Sequence, residues 1–310
     1  MAFGDVRNQI EQMLNTRMLF SCLVDADYSV SALEGRTAEL EEEQSAFDPQ
    51  QVLEALYRYQ ESLAAGTASQ SEINRLRTAL FWRCGDAGAS ADGLCNLTAP
   101  TGTGKTLALL HFALQQCITK GKKRIIIVLP YLSIIQQNAE IYRKIYPQLL
   151  EDHSQSDLDD AQREYAARWS APLIVTTSVR FFETLFSASP TDCRKLHHIA
   201  NSVVVFDEAQ SLPAEVTAAT LQAIRVLCQR YHTTVLFSTA TQPDYAALPG
   251  IDWAPQEILP DHAQFYRALQ RTRVEWRVGE GQALPLEQVA DELAAESSVC
   301  AILNMRRHAR

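Results

Sequence analysis

Two stretches of the chain carry residue types whose order suits phosphate chemistry. The first is Ala99-Pro-Thr-Gly-Thr-Gly-Lys-Thr106, between the apolar run Leu94–Thr98 and the helical pattern Leu107–Leu114. In a strand–loop–helix of this kind, the backbone N–H groups of Thr101, Gly102, Thr103 and Gly104 converge on an anion. The start of the helix adds partial positive charge. The spacing assigns Lys105 to the β- and γ-phosphates of a nucleotide and the Thr106 hydroxyl to a magnesium ion. The pattern departs from G-x-x-x-x-G-K-[ST] at its first position, which is alanine. A mere glycine-rich turn with a solvated lysine would leave the strand before it and the helix after it unexplained.

The second stretch is Asp207-Glu208-Ala-Gln210, directly after Val203–Phe206. Ligands of open α/β sheets bind outside the carboxyl ends of the strands. Asp207 is therefore expected to share the magnesium with Thr106, and Glu208 to orient or deprotonate an attacking water. Two carboxylates at the end of a buried strand need a compensating positive charge. The alternative for Asp207 is an N-cap of the helix expected over 214–230, with Ser211 and Pro213 lying between. Ser238-Thr-Ala-Thr241 follows the next strand. The hydroxyls of Ser238, Thr239 and Thr241 are expected to reach the Asp207–Gln210 loop and link nucleotide state to a moving element. Near the N-terminus, Asp25-Ala-Asp27 is either part of a metal site or a solvated helix end.

These residues need a scaffold that brings strand ends together. Residues 2–28 read as a helix, 34–48 as an acidic linker and 49–83 as two helices, with a loop over 84–93. From Leu94 onward apolar strands over 94–98, 125–129, 173–177, 203–206 and 235–237 alternate with helices over 107–114, 133–146 and 214–230. Residues 151–164 read as a surface insertion and 242–272 as irregular. Strands at 274–278 and 299–303 then flank a helix over 285–296. Continuous β-branched strands separated by helices imply an α/β fold, a parallel sheet covered on both faces. The last strand is expected to need neighbours beyond Arg310.

Composition narrows the classes. The 310 residues are 46% hydrophobic and 21% charged, with a net charge of -9. That balance speaks against a large duplex-binding footprint but not against a local groove. The 7 cysteines form no C-x-x-C pair, which speaks against a zinc module or a disulfide framework and fits a reducing cytosol. No apolar run approaches membrane-spanning length.

In this order the motifs resemble a superfamily 2 helicase motor. Ala99–Thr106, Asp207–Gln210 and Ser238–Thr241 look like its first three motifs, and Gln210 is included among the catalytic residues on that basis. Leu129–Gln136, Val175–Phe186 and Phe206–Pro213 are similar to phrases of the CRISPR-associated helicase–nucleases of type I systems. Arg17–Asp27 resembles the end of that family's HD nuclease domain, and Ile73–Thr78 the helix before its motor. The resemblance implies an HD remnant over 1–33, linker and helices over 34–83, a first RecA-like ATP-binding domain over 84–245 and a connector over 246–272. The start of a truncated second RecA-like domain would follow over 273–310.

It further implies an ATP- and magnesium-dependent helicase that moves along single-stranded DNA in CRISPR interference. Such a protein is cytoplasmic, away from membranes, and recruited to a guide-RNA surveillance complex. Gln136, Thr176, Thr177 and Arg180 would face the DNA backbone. Asp27 would be the last ligand of an HD site that needs divalent transition metal and whose histidines are absent here, so no nuclease activity is expected. With its second motor domain cut short, the chain is expected to bind ATP better than it turns it over. The alternative is a non-catalytic docking module whose ATP state controls partner association.

Overall fold

Runs such as Ile125–Leu129 and Val203–Phe206 have no polar face, so they become strands only where both faces are covered. The computed structural model describes residues 3–33, 47–66, 71–212, 214–248, 251, 253–270, 272–273 and 284–302. Three helices come first: α1 (Phe3–Leu33), α2 (Pro49–Gly66) and α3 (Glu72–Ser90). The alternating part begins with β1 (Leu94–Thr98), α4 (Lys105–Lys120), β2 (Arg124–Leu129), α5 (Leu132–Ile145) and β3 (Leu150–Asp152). It continues with α6 (Asp160–Arg168), β4 (Leu173–Thr177), α7 (Ser178–Phe186), the single turn α8 (Pro190–Cys193) and β5 (Ser202–Asp207). Helix α9 (Ala214–Arg230), β6 (Thr234–Thr239), β7 (Gln256–Glu257) and α10 (His262–Ala268) complete the first of two compact units, Met1–Leu269. The second unit, Gln270–Arg310, has one described helix, α11 (Leu286–Ala294).

The sheet is parallel throughout, in the order β3-β4-β2-β5-β6-β1-β7. Alternation along each strand sends side chains to two separate cores. Ile125, Ile127 and Leu129 pack with Phe81, Leu109, Phe112 and Tyr142 of α3, α4 and α5. Ile126 and Val128 pack with Phe181, Leu221, Ile224 and Leu227 of α7 and α9. Leu14 and Met18 bring α1 onto this second face. All the strands run the same way, so the loops after β1, β5 and β6 open at one edge. There β6 lies between the strand that precedes the glycine loop and the strand that ends in Asp207.

The structure corrects four readings of the sequence. The expected loop at 84–93 is helical as far as Ser90. Gly85 and Gly88 mark a close approach, not a turn: a Cβ on Gly88 would lie 2.4 Å from the Phe112 carbonyl oxygen, so only glycine lets α3 touch α4 there. The expected surface insertion at 151–164 contains the buried edge strand β3, and α6 begins inside it with a capping box formed by Asp159 and Gln162. Acidic composition hid β3, because its charges are paired: Lys195 Nζ lies 2.6 Å from Asp152 Oδ2. The stretch 242–272 supplies β7 and α10, which are too short to show a period. Residues 299–302 form no strand, and Val299 and Ile302 are exposed; no described strand pairs with them. The strand expected at 274–278 and the acidic stretch 34–46 lie outside the described residues.

Candidate nucleotide site

The glycine loop is an extension of the sheet. Ala99 N–H donates to Thr239 O at 3.2 Å, and Ala99 is fully buried. Its backbone is not among those with positive φ, which explains why alanine serves at the first loop position. The chain then reverses. Thr103 Oγ1 donates to Pro100 O at 2.7 Å. Gly104 takes φ +80 at the N-cap of α4, a conformation that excludes most side chains, and caps the helix with no side-chain hydrogen bond. The first N–H groups of α4 are thereby left without the side-chain acceptor that most helices provide.

Lys105 is buried, and its Nζ lies 3.3 Å from Glu208 Oε1. Thr106 Oγ1 bonds Asn138 Oδ1 at 3.1 Å, and the Tyr142 hydroxyl donates to Thr106 O at 3.3 Å. Asp207 is buried at the end of β5, where its Oδ1 accepts from Ser238 Oγ at 2.9 Å and from the Glu208 N–H at 3.1 Å. It does not cap α9. Burial pushes the Asp207 carboxyl above the usual carboxylate range, against the opposing pull of Lys105 and Ser238. Glu208 sits in the left-handed region at φ +56, a strained placement for a side chain of its size. Its Oε2 accepts from Gln210 Nε2 at 2.6 Å, and Gln210 Oε1 accepts in turn from the Thr239 hydroxyl. Thr241 joins through its backbone, whose N–H donates to Thr239 Oγ1 at 3.1 Å. The hydroxyls of Ser238 and Thr239 thus reach the acidic loop as expected, whereas Thr241 meets Thr239 through its backbone and makes no described bond to that loop.

The loop, Asp207 and Glu208 line one cleft of about 640 Å³, a size typical of ligand pockets. Tyr59 and Phe81 of α2 and α3, with Ile134 and Ile141 of α5, form its apolar wall. Two of its polar contacts had no local signal in the sequence. Arg77 Nε donates to Gly102 O at 3.0 Å, holding the loop from 25 residues away, and Asn138 meets Thr106 across 32 residues.

Burial makes a prediction for Asp207. A carboxyl with a raised pKa in the fold costs stability where it is ionised. The cost is absent below the unfolded value of 3.8 and grows as pH rises through and beyond that value. Asp207→Asn is therefore expected to raise the thermal midpoint by a few degrees at neutral pH, with the gain vanishing near pH 4 and below. Melting curves of the two proteins across that range test it.

The residues expected to face nucleic acid divide. Arg180 is half-exposed and pairs with Glu183 at 3.2 Å. Thr177 is partly buried and caps α7, accepting from the Arg180 N–H at 3.1 Å. Gln136 is exposed on α5, beside Glu140 and Arg143 in a separate pocket. Thr176 departs from expectation: it is fully buried, and its hydroxyl donates to Asp152 O at 2.8 Å, because the unanticipated β3 covers it.

Asp27 also departs. It is exposed, and the group of potential metal ligands that the described residues bring together there is Asp25, His197 and His198. Asp25 is buried, with Arg194 Nε 2.7 Å and Arg168 Nε 2.9 Å from its Oδ1. Burial pushes its carboxyl up, but the two guanidinium groups outweigh that and hold it below the usual range. Two guanidinium groups at one carboxylate fix α1 to the fold and disfavour a further cation.

A model of the DEAD/DEAH box helicase family matches residues 87–248. The CRISPR-associated nuclease/helicase Cas3 of Haloferax volcanii is 28% identical over 194 residues, 52% of this chain. This chain spans 20% of the length of that relative. Among solved structures, T. fusca Cas3 with AMPPNP is 21% identical, with a TM-score of 0.47 over 64% of this chain and 23% of its own. The DEAD-box helicase Mss116 bound to ssRNA and UDP-BeF is 15% identical, with a TM-score of 0.44 over 75% of this chain and 43% of its own. No helix among the described residues is long and apolar enough to cross a membrane.

Proposed function

The chain belongs to the DEAD/DEAH box helicase family, and from that premise we propose that it is an ATP-driven motor acting on single-stranded DNA in CRISPR interference. The observation that carries the ATP part is the joining of Lys105 with Asp207 and Glu208 across the ends of β1 and β5, on either side of β6, with Gln210 relaying Glu208 to Thr239 of β6. The DNA and CRISPR parts rest on the similarity to Cas3.

The backbone N–H groups of Thr101–Gly104 and Lys105 would hold the phosphates. Glu208 would orient the attacking water and accept its proton once Lys105 turns to the phosphates and releases it. The apolar wall of Tyr59, Phe81, Ile134 and Ile141 suits the base. The donors present fit magnesium: a hydroxyl at Thr106 and a carboxylate at Asp207 are hard oxygen ligands. Asp207 is also buried deeply enough that its charge needs offsetting. When bound, the ion would neutralise charge on the phosphate oxygens.

The test is phosphate release from ATP by the 310-residue chain with and without oligothymidylate. Acceleration by the oligonucleotide is the expected result. Binding of ATP without any phosphate release would instead favour the docking-module reading.

A further inference from the structure

We infer that Tyr131 is a base-stacking residue at the strand-end edge of the sheet, and that a single strand is held there more by stacking than by charge. This rests on the proposed reading of the chain as a single-strand motor.

Tyr131 has the most exposed aromatic ring among the described residues, at 59%. Trp82, at 48%, is packed with Tyr57, Phe81 and His111, and Tyr28 lies under the Arg194 guanidinium. No such ring contact is described for Tyr131. The ring stands on a fixed base, since Tyr131 is the N-cap of α5 and its carbonyl accepts from the N–H groups of Ile134 and Ile135, both at 3.1 Å.

Its surroundings suit a nucleobase. Leu129 of β2 is paired with Thr177 of β4, and Tyr131 and Val179 each lie two residues beyond that pair. Val179 is 62% exposed. An aromatic face and an aliphatic side chain thus follow adjacent strand ends at the edge that also carries the nucleotide cleft. The same helix carries Asn138, which bonds Thr106, so the element under the ring touches the nucleotide loop directly.

Charge at this edge is scarce. Within the five residues after each of β1 to β6, the one lysine or arginine is Arg180, and it pairs with Glu183. Phosphate neutralisation therefore contributes little, and salt dependence is shallow. Stacking on an aromatic side chain contributes about 1–3 kcal/mol per base and tolerates any sequence.

The probe is a labelled oligothymidylate of about 12 nucleotides, within the range of single-strand site sizes, alongside an abasic strand of the same length. Binding is read by fluorescence anisotropy on the full chain at several salt concentrations. Tyr131→Ala is expected to weaken oligothymidylate binding about 5- to 150-fold with an unchanged salt slope. Tyr131→Phe should bind like wild type, and wild type and Tyr131→Ala should bind the abasic strand equally. Equal binding of oligothymidylate by wild type and Tyr131→Ala overturns the assignment while leaving the motor reading intact. Failure of wild type to bind either strand overturns the single-strand reading and this assignment with it. Should Tyr131→Ala not fold, wild type alone decides: equal affinity for the two strands overturns the assignment.

Discussion

Lys105→Ala is expected to lower ATP affinity by about two orders of magnitude or more. Removing one partner of a buried, hydrogen-bonded charge contact costs about 2–5 kcal/mol, and each 1.4 kcal/mol is tenfold. Lys105 is buried, and on leaving Glu208 Oε1, 3.3 Å from its Nζ, it would make such a contact with the phosphates. It also opposes the upward shift of Asp207. Without it, two adjacent carboxylates share one end of a strand with no cation between them. The Asp207 carboxyl should then rise further, and the variant should lose stability relative to wild type as pH climbs from about 4 to neutrality. Titration with a fluorescent ATP analogue measures the affinity, and an unchanged value would sink the assignment of Ala99–Thr106 as a phosphate loop. Thermal melts across pH measure the second effect.

Glu208→Gln is expected to keep nucleotide binding while slowing phosphate release about 10²- to 10⁴-fold, the usual contribution of a positioned general base. The amide has the same shape, so it can keep the backbone at φ +56. It can also still accept from Gln210, so the relay to Thr239 survives. What it loses is basicity and the ion pair with Lys105. Single-turnover phosphate release in the presence of oligothymidylate, beside a nucleotide titration, separates the two effects. A parallel loss of binding and rate would show that Glu208 supports the loop and does not act on water.

The sheet and most of the nucleotide site could be read from the sequence because their signals are local. An apolar β-branched run carries its demand for two covered faces within itself. The phosphate loop is eight consecutive residues, and its backbone conformation follows from where its glycines fall. Asp207 and Glu208 are consecutive with a strand that points them at the ligand edge. For the same reason β2 and β5 lie within a residue of their expected bounds, while α4 runs on to Lys120, past the expected end at Leu114.

What the sequence could not show depends on partners far along the chain. Gly88 reads as a helix breaker until Phe112 is known to press against it. Leu150–Asp152 reads as an acidic surface until Lys195 neutralises Asp152 from 43 residues away. That strand in turn decides Thr176, whose hydroxyl would be exposed without it. Asp25 and Asp27 look equivalent in sequence, but two residues along a helix turn the side chain to another face. One aspartate meets two arginines and the other meets solvent.

The sequence by itself determined the class of fold, the phosphate loop and the acidic strand end, because each depends on neighbours within a few residues. Only the tertiary structure decided which hydroxyls and carboxylates are free to act, that Arg77 and Asn138 hold the loop, and that Tyr131 stands exposed at the strand-end edge of the sheet. Burial and charge pairing are properties of two surfaces meeting, and neither surface alone records them.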